Sequence, residues 1–274
     1  MKATSKAPAI RGLRLFDSCV TLGRVVRRGT TLSVTPDNVL KLLDKYDIVE
    51  ALVHHNEARL HLPRIVGNRS LLDEIKGMRR LHPVWVLEPP SSPDPVAARD
   101  LVDEMLASGV RVARLMMGFA PPFHWLWEDL LEVLEEHRVP CFLDFGATGY
   151  DSGGGTTRGN PDAVMVHHLR DVCMAHPDLP MILSHVSGGL GLAYPVLPLM
   201  RRLGNLHLDV TSVVNYWRIA AAEIGPERVF FATGMPYYEA ATFVSNAQYD
   251  PYLSLDAKRA ICGDNLRHLL EAVA

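Results

Sequence analysis

Several things are scarce in this chain, and each scarcity removes a class of protein. Aromatic residues make up 7% and the formal net charge is only −3 over 274 residues. A charge that weak and that mixed in sign gives no footprint for nucleic acid or for a membrane surface. The basic pairs Arg27-Arg28, Arg79-Arg80 and Arg201-Arg202 stand isolated and read as solvated helix ends or loops. No apolar run approaches the length of a membrane span. The segment from Met1 to Arg11 has no hydrophobic stretch of the secretory kind and reads as a loose tail. Four cysteines, Cys19, Cys141, Cys173 and Cys262, show no CxxC spacing. That favours reduced thiols in a cytoplasmic protein over a disulfide framework. The glycine run Gly153-Gly154-Gly155 is not followed by Lys-Ser or Lys-Thr, so it is no phosphate loop. The segment around it, 149–161, reads as either an active-site lid or a plain surface loop.

What is present is enough apolar material for a large core: 48% of the residues are hydrophobic. Short β-rich runs alternate with helical stretches along the whole chain. The strands expected are Leu13–Asp17, Ile48–His54, Val84–Leu87, Arg111–Met116, Pro140–Phe145, Met181–His185, Leu206–Thr211 and Arg228–Thr233. Amphipathic helices are expected at Asp94–Ala107, Trp125–His137, Asp162–Ala175 and Val213–Ile224. Several strands are near-continuous apolar runs, as expected when both faces are covered. Eight strands alternating with helices predict an α/β fold, a (β/α)8 TIM barrel forming a single domain over 12–274 behind the tail 1–11.

Chemistry in such barrels sits at the carboxyl ends of the strands. Strand six ends in Ser184-His185-Val186-Ser187-Gly188, and strand five in Leu143-Asp144-Phe145-Gly146, so His185 and Asp144 lie on adjacent strands. Strand two ends His54-His55-Asn56-Glu57, with Arg59 beyond, and alternation lets one of the paired histidines face the axis. Such a histidine can transfer protons, while Arg59 or Arg114 can hold a carboxylate in a bidentate fork. Asp209, Ser212 and Asn215 after strand seven serve equally as a helix cap or as hydrogen-bonding groups for a substrate. Tyr237 and Tyr238 follow Pro236 and are candidate pocket walls.

These segments resemble the amidohydrolase superfamily, in the amidohydrolase-2 branch of aromatic-acid decarboxylases and sugar or pyrone lactonases. Pro180-Met-Ile-Leu-Ser-His185-Val-Ser-Gly-Gly189 is similar to that branch's strand-six pattern. Glu227 to Pro236 resembles its strand-eight segment, which normally ends Gly-Ser/Thr-Asp-x-Pro, and Ile261 to Leu270 resembles its closing helix. The resemblance runs from about Leu13 to the end and implies a divalent metal held by ligands at the strand ends. The departures from it predict a degenerate site. Where the branch has His-x-His behind the first-strand Asp, this chain has Cys19-Val20-Thr21 behind Asp17. Asp144 stands for the strand-five His and Gly234 for the strand-eight Asp, and strand four offers no Lys or Glu. His185 is the one equivalent that remains.

The reading expected is an amidohydrolase-like hydrolase, decarboxylase or lactonase acting on a small carboxylated compound without the usual divalent metal. His185, Asp144 and His54 are its catalytic candidates, and His55, Arg59, Arg114, Ser212 and Tyr237 its substrate-binding candidates. The alternatives are a non-catalytic barrel that binds a metabolite or partner, and a metallohydrolase with a rebuilt Zn²⁺ site of Cys19, Asp144 and His185, whose side chains are all able to bind zinc. Barrels of this branch often pair, so a homodimer is compatible with the exposed helices.

Overall fold

A computed structural model of the chain describes residues 12–27, 30–61, 63–89, 94–117, 120, 122–144, 163–184, 196–213 and 217–274. Strand β1 (Leu15–Arg27) runs parallel to β3 (Ile48–His55), and beyond the barrel wall it folds back as an antiparallel hairpin with β2 (Thr30–Val34). The wall continues through β4 (Leu81–Pro83) and β5 (Trp85–Leu87). Parallel strands β6 (Ala113–Leu115), β7 (Cys141–Asp144), β8 (Met181–Ser184), β9 (Leu206–Asp209) and β10 (Val229–Phe230) complete it. β4 and β5 are one strand interrupted at Val84. The Val84 N–H bonds to Val53 on one side, and that of Trp85 to Val112 on the other. At the second seam, Ser18 N–H bonds Phe231 O, Gly234 N–H bonds Cys19 O, and Thr21 N–H bonds Met235 O. The last wall segment is thereby joined to the first, and the barrel expected from the sequence is the barrel observed.

Helices cover the outside: α1 (Pro36–Lys45), α2 (Asn56–Leu60), α3 (Arg64–Glu74), α4 (Pro95–Ala107), α5 (His124–Glu136), α6 (Ala163–Ala175), α7 (196–200), α8 (Trp217–Ile224), α9 (Ala240–Tyr249), α10 (Leu255–Arg259) and α11 (Asn265–Glu271). Their starts follow local chemistry. Asp94 caps α4 by accepting from the Val96 and Ala97 N–H groups, with Pro95 at the first helical position. In α5, Trp127, Leu130, Leu131, Val133 and Leu134 form the buried face, as helical spacing requires. Among the described residues no helix is long and apolar enough to cross a membrane.

Alternation along the strands sorts the interior into layers. Phe16, Leu52, Val84, Val112, Phe142, Ile182 and Phe230 meet inside the barrel's amino-terminal half, closed from below by Leu266 of α11. Two residues further along the same inner faces stand Arg114, Asp144 and Ser184, all fully buried. The outward residues of the same strands, such as Trp85, Leu115 and Leu143, pack under the helices.

Three expected boundaries are corrected. The strand Leu206–Thr211 stops at Asp209, because the Asp209 carboxylate accepts from the Thr211 N–H and hydroxyl and turns the chain into a 3-10 turn at Val210–Ser212. The strand Arg228–Thr233 has ladder pairing only at Val229–Phe230, and its continuation bonds to β1 instead. The first strand runs on past Asp17 to Arg27, since its polar end pairs with β2. The described helix in 213–224 spans Trp217–Ile224. All four cysteines are buried free thiols, in keeping with the expectation from their spacing.

Candidate functional site

The guanidinium of Arg114 lies at the centre of the polar layer. One terminal nitrogen donates to Asp144 Oδ2 at 3.0 Å and to Ser184 Oγ at 3.2 Å, and the other approaches Cys19 Sγ at 3.4 Å. Its carbon stands 5.4 Å from the centre of the Phe142 ring, one layer below. Burial is the strongest influence on Arg114 and would discharge it. Cys19, Asp144 and Asp209 outweigh that effect and hold its pKa above the usual arginine range, against a smaller opposing push from Arg59. A fixed cation therefore ties together the ends of β1, β6, β7 and β8.

A second guanidinium reaches the same carboxylate. Arg59 Nε is 3.4 Å from Asp144 Oδ2, its Nη1 is 3.4 Å from the Tyr237 hydroxyl, and its guanidinium carbon lies 5.4 Å from the centre of the Tyr237 ring. Tyr237 donates to Asn56 Oδ1 at 3.0 Å, and Asn56 donates to Arg24 O at 2.6 Å. Arg59 rides on α2, a helix too short to hold its own position, and Arg64 fixes it. One Arg64 nitrogen donates to both Ala58 O and Arg59 O at 2.8 Å, while Nε pairs with Glu88 at 2.8 Å. Gly67 makes this fit possible, since a Cβ there would stand 2.2 Å from the Ala58 nitrogen. Sequence reasoning did not single out Asn56, Arg64 or Gly67; their only signal was proximity to Arg59 in the chain.

On β1, Thr21 Oγ1 lies 3.0 Å from His54 Nε2, so this inner-facing pair joins the first two strand ends. Asp17 secures the seam. Its Oδ1 accepts from the N–H groups of Cys19 at 3.0 Å and Thr233 at 2.9 Å, and its Oδ2 accepts the Thr233 hydroxyl at 2.5 Å. Burial raises the Asp17 pKa to about 7, against the lowering effect of the Thr233 and Cys19 bonds, with Asp209 pushing it further up. Gly234, where the family resemblance leads one to expect Asp, has φ +64°. A Cβ there would meet Tyr238 Cδ2 at 2.6 Å and Thr211 Cγ2 at 3.2 Å, so an acidic side chain has neither the backbone nor the space at this position.

Of the residues selected from the sequence, the fold brings together Cys19, Arg59, Arg114, Asp144 and Tyr237, with His54 beside Thr21. His55 is placed elsewhere. It caps α2, its Nε2 is 3.4 Å from Glu74, and Gly23 leaves room for its ring on the outer side of β1. Ser212 donates to Leu183 O at 3.3 Å, bracing β8 from the turn after β9. His185, Asn215 and the segment 149–161 lie outside the described residues. Among the described residues no three His, Cys, Asp or Glu side chains converge to hold a metal ion. The thiol and carboxylate of the rebuilt zinc set, Cys19 and Asp144, both face the Arg114 guanidinium.

A closed parallel barrel with a buried layer of ionisable side chains at the carboxyl ends of its strands belongs to the class in which those ends carry binding and catalysis. Within that class, a family model described as Amidohydrolase matches residues 68–271, and the chain belongs to this family. A search of curated proteins finds no match. Among solved structures, 5-carboxyvanillate decarboxylase from Sphingomonas paucimobilis is similar at a TM-score of 0.71 and 14% identity, over 96% of this chain and 100% of that one. A 2,6-dihydroxybenzoate decarboxylase from Rhizobium matches at 0.64 and 19% identity, over 94% and 98%. A dihydroxybenzoic acid decarboxylase from Polaromonas sp. JS666, solved with bound manganese and the inhibitor 2-nitroresorcinol, matches at 0.64 and 14% identity, over 94% and 96%. At these identities the likeness is one of fold.

Proposed function

We propose that the chain is an enzyme of the amidohydrolase family that acts on a small carboxylated compound, as a decarboxylase or hydrolase. Its own side chains, rather than a divalent metal, carry the acid–base and electrostatic work. The observation behind this is the buried layer of Thr21, His54, Arg59, Arg114, Asp144 and Asp209 above an apolar floor. Taking charges out of water costs several kcal/mol each in order of magnitude, and well-packed apolar residues commonly serve stability as well or better. A layer of this kind at the functional end of a barrel is best explained by what it binds.

In this reading Arg59, held by Arg64 and Tyr237, receives the substrate's carboxylate, as a planar fork suits. Asp144 has its oxygen engaged by two guanidiniums, so it orients both arginines and is not the proton carrier. His54, with Thr21 on Nε2, moves the proton, and His185 is kept from the sequence as a second candidate for that role. The family and the decarboxylase neighbours set the first substrates to try: hydroxylated benzoic acids, followed by lactones of small carboxylic acids. Carbon dioxide release from the former indicates a decarboxylase, and ring opening of the latter a hydrolase. Turnover should fall by about a hundredfold or more in His54→Ala, the usual scale of lost proton transfer. Activity that survives His54→Ala, or a panel in which nothing is turned over or bound, would sink the proposal.

A further inference from the structure

We infer that Arg114 is a built-in cation that excludes a divalent metal from the strand ends where the family resemblance would place one. This deepens the metal-free clause of the proposed function, but its test reads metal binding rather than turnover, so the two can fail separately.

Four observations carry the inference. First, two of the positions that align with family ligands, Cys19 and Asp144, point their Sγ and Oδ2 at the Arg114 guanidinium, at 3.4 and 3.0 Å. Ser184, next to the third position, is bonded to the same nitrogen as Asp144. Second, the Thr21 hydroxyl at a further ligand position is matched to His54. Third, Gly234 leaves no room for the carboxylate expected after the last strand, with Tyr238 2.6 Å from where a Cβ would be. Fourth, the guanidinium is fully buried. A dication among Cys19, Asp144 and Ser184 would face a fixed positive charge at contact distance, with water too scarce to screen it.

Arginine suits this role as lysine would not. It keeps its charge when buried, and its planar fork can address a carboxylate, a hydroxyl and a thiol at once. The same contacts make Arg114 a positioning residue, because it sets the orientation of Asp144 and, through Asp144, of Arg59. No ion has to be acquired for the four strand ends to be held.

The experiment is metal binding to the full-length protein, with Zn²⁺, Mn²⁺ and Co²⁺ as probes. The unaltered protein should show no rise in Tm with Zn²⁺ or Mn²⁺, and no cobalt–thiolate charge-transfer band. Arg114→Ser removes the charge and leaves space. It should take up one equivalent of Zn²⁺ or Co²⁺, with affinity raised by about a hundredfold or more. The Co²⁺ complex should show a thiolate band that disappears when Cys19→Ala is added. Cys19 is the thiol this band would report, since Cys141, Cys173 and Cys262 are buried away from the cluster and burial pushes their pKa values far up. Stoichiometric metal in the unaltered protein, lost in Cys19→Ala or Asp144→Asn, overturns the inference. So does a folded Arg114→Ser variant that takes up no metal, because the guanidinium would then not be what keeps the ion out. If Arg114→Ser fails to fold, the titration of the unaltered protein against Asp144→Asn still decides.

Discussion

Phe142 and Asp144 lie two residues apart on the same face of the same strand, yet they belong to different worlds. Phe142 is part of an apolar layer with Phe16, Leu52, Ile182 and Phe230, sealed by Leu266. Asp144, one pleat further on, lies between two guanidiniums. Both sites are equally dry, and they differ in what a defect does there. A missing group in the lower layer leaves a void that neighbours partly fill. In the upper layer it leaves a charge without its counter-charge and with no water to replace it.

The sharpest way to break the contrast is Asp144→Ala. Leaving Arg114 buried without its carboxylate should cost about 3–5 kcal/mol in denaturant unfolding and should abolish any activity. The double change Arg114→Met/Asp144→Leu should recover most of that stability and none of the activity, which a double-mutant cycle reads directly. If the double variant is as unstable as the single one, the upper layer is serving the fold after all. Phe142→Ala should also cost about 3–5 kcal/mol, by cavity formation. Its turnover per folded molecule at low temperature should remain measurable, so that stability is lost while chemistry is not.

A smaller effect tests the seam between the first and last wall segments. Asp17 has its folded-state pKa raised from 3.8 to about 7, chiefly by burial. A raised carboxyl pKa means that the neutral form is the one the fold prefers. Its stabilising contribution is complete below pH 3.8 and is lost as pH climbs through 7, a change on the order of a few kcal/mol. Unfolding free energy measured from pH 4 to 8 should therefore decline less steeply in Asp17→Asn than in the unaltered protein. Parallel profiles would show that Asp17 is ionised in both states. The least effect belongs to the outer shell: Asp94→Ala removes the α4 cap and should cost about 1 kcal/mol in Tm-derived stability, with activity unchanged.

The barrel was legible in the sequence because it depends on periodicity. Apolar runs such as Cys141–Leu143 and Met181–Leu183 and helical stripes such as that of α5 repeat in an order that few other folds share. The strand ends were legible only as a list of polar residues. Arg114 reads from the sequence as a carboxylate clamp for a ligand, but its nearest carboxylate proved to be the protein's own. Nothing in the spacing of 19, 114, 144 and 184 announces that these residues meet, because the residues between them are spent on helices outside the wall. His55 shows the opposite error. Adjacent to His54 and equally polar, it faces outward onto Glu74, as alternation demands of one of the pair.

Residue identities in order were enough for the architecture, since apolar periodicity can be read directly from them. Only the folded arrangement shows which buried polar groups meet: Asp144 pairs with Arg59 and Arg114, while Thr21 is hydrogen-bonded to His54 and Thr233 to Asp17. The reason is physical. Burial of apolar surface has no direction, so pattern suffices to predict it. A buried ion pair exists only where two particular atoms come within about 3 Å of each other, and closure of the barrel is what brings residues so distant in the chain to that separation.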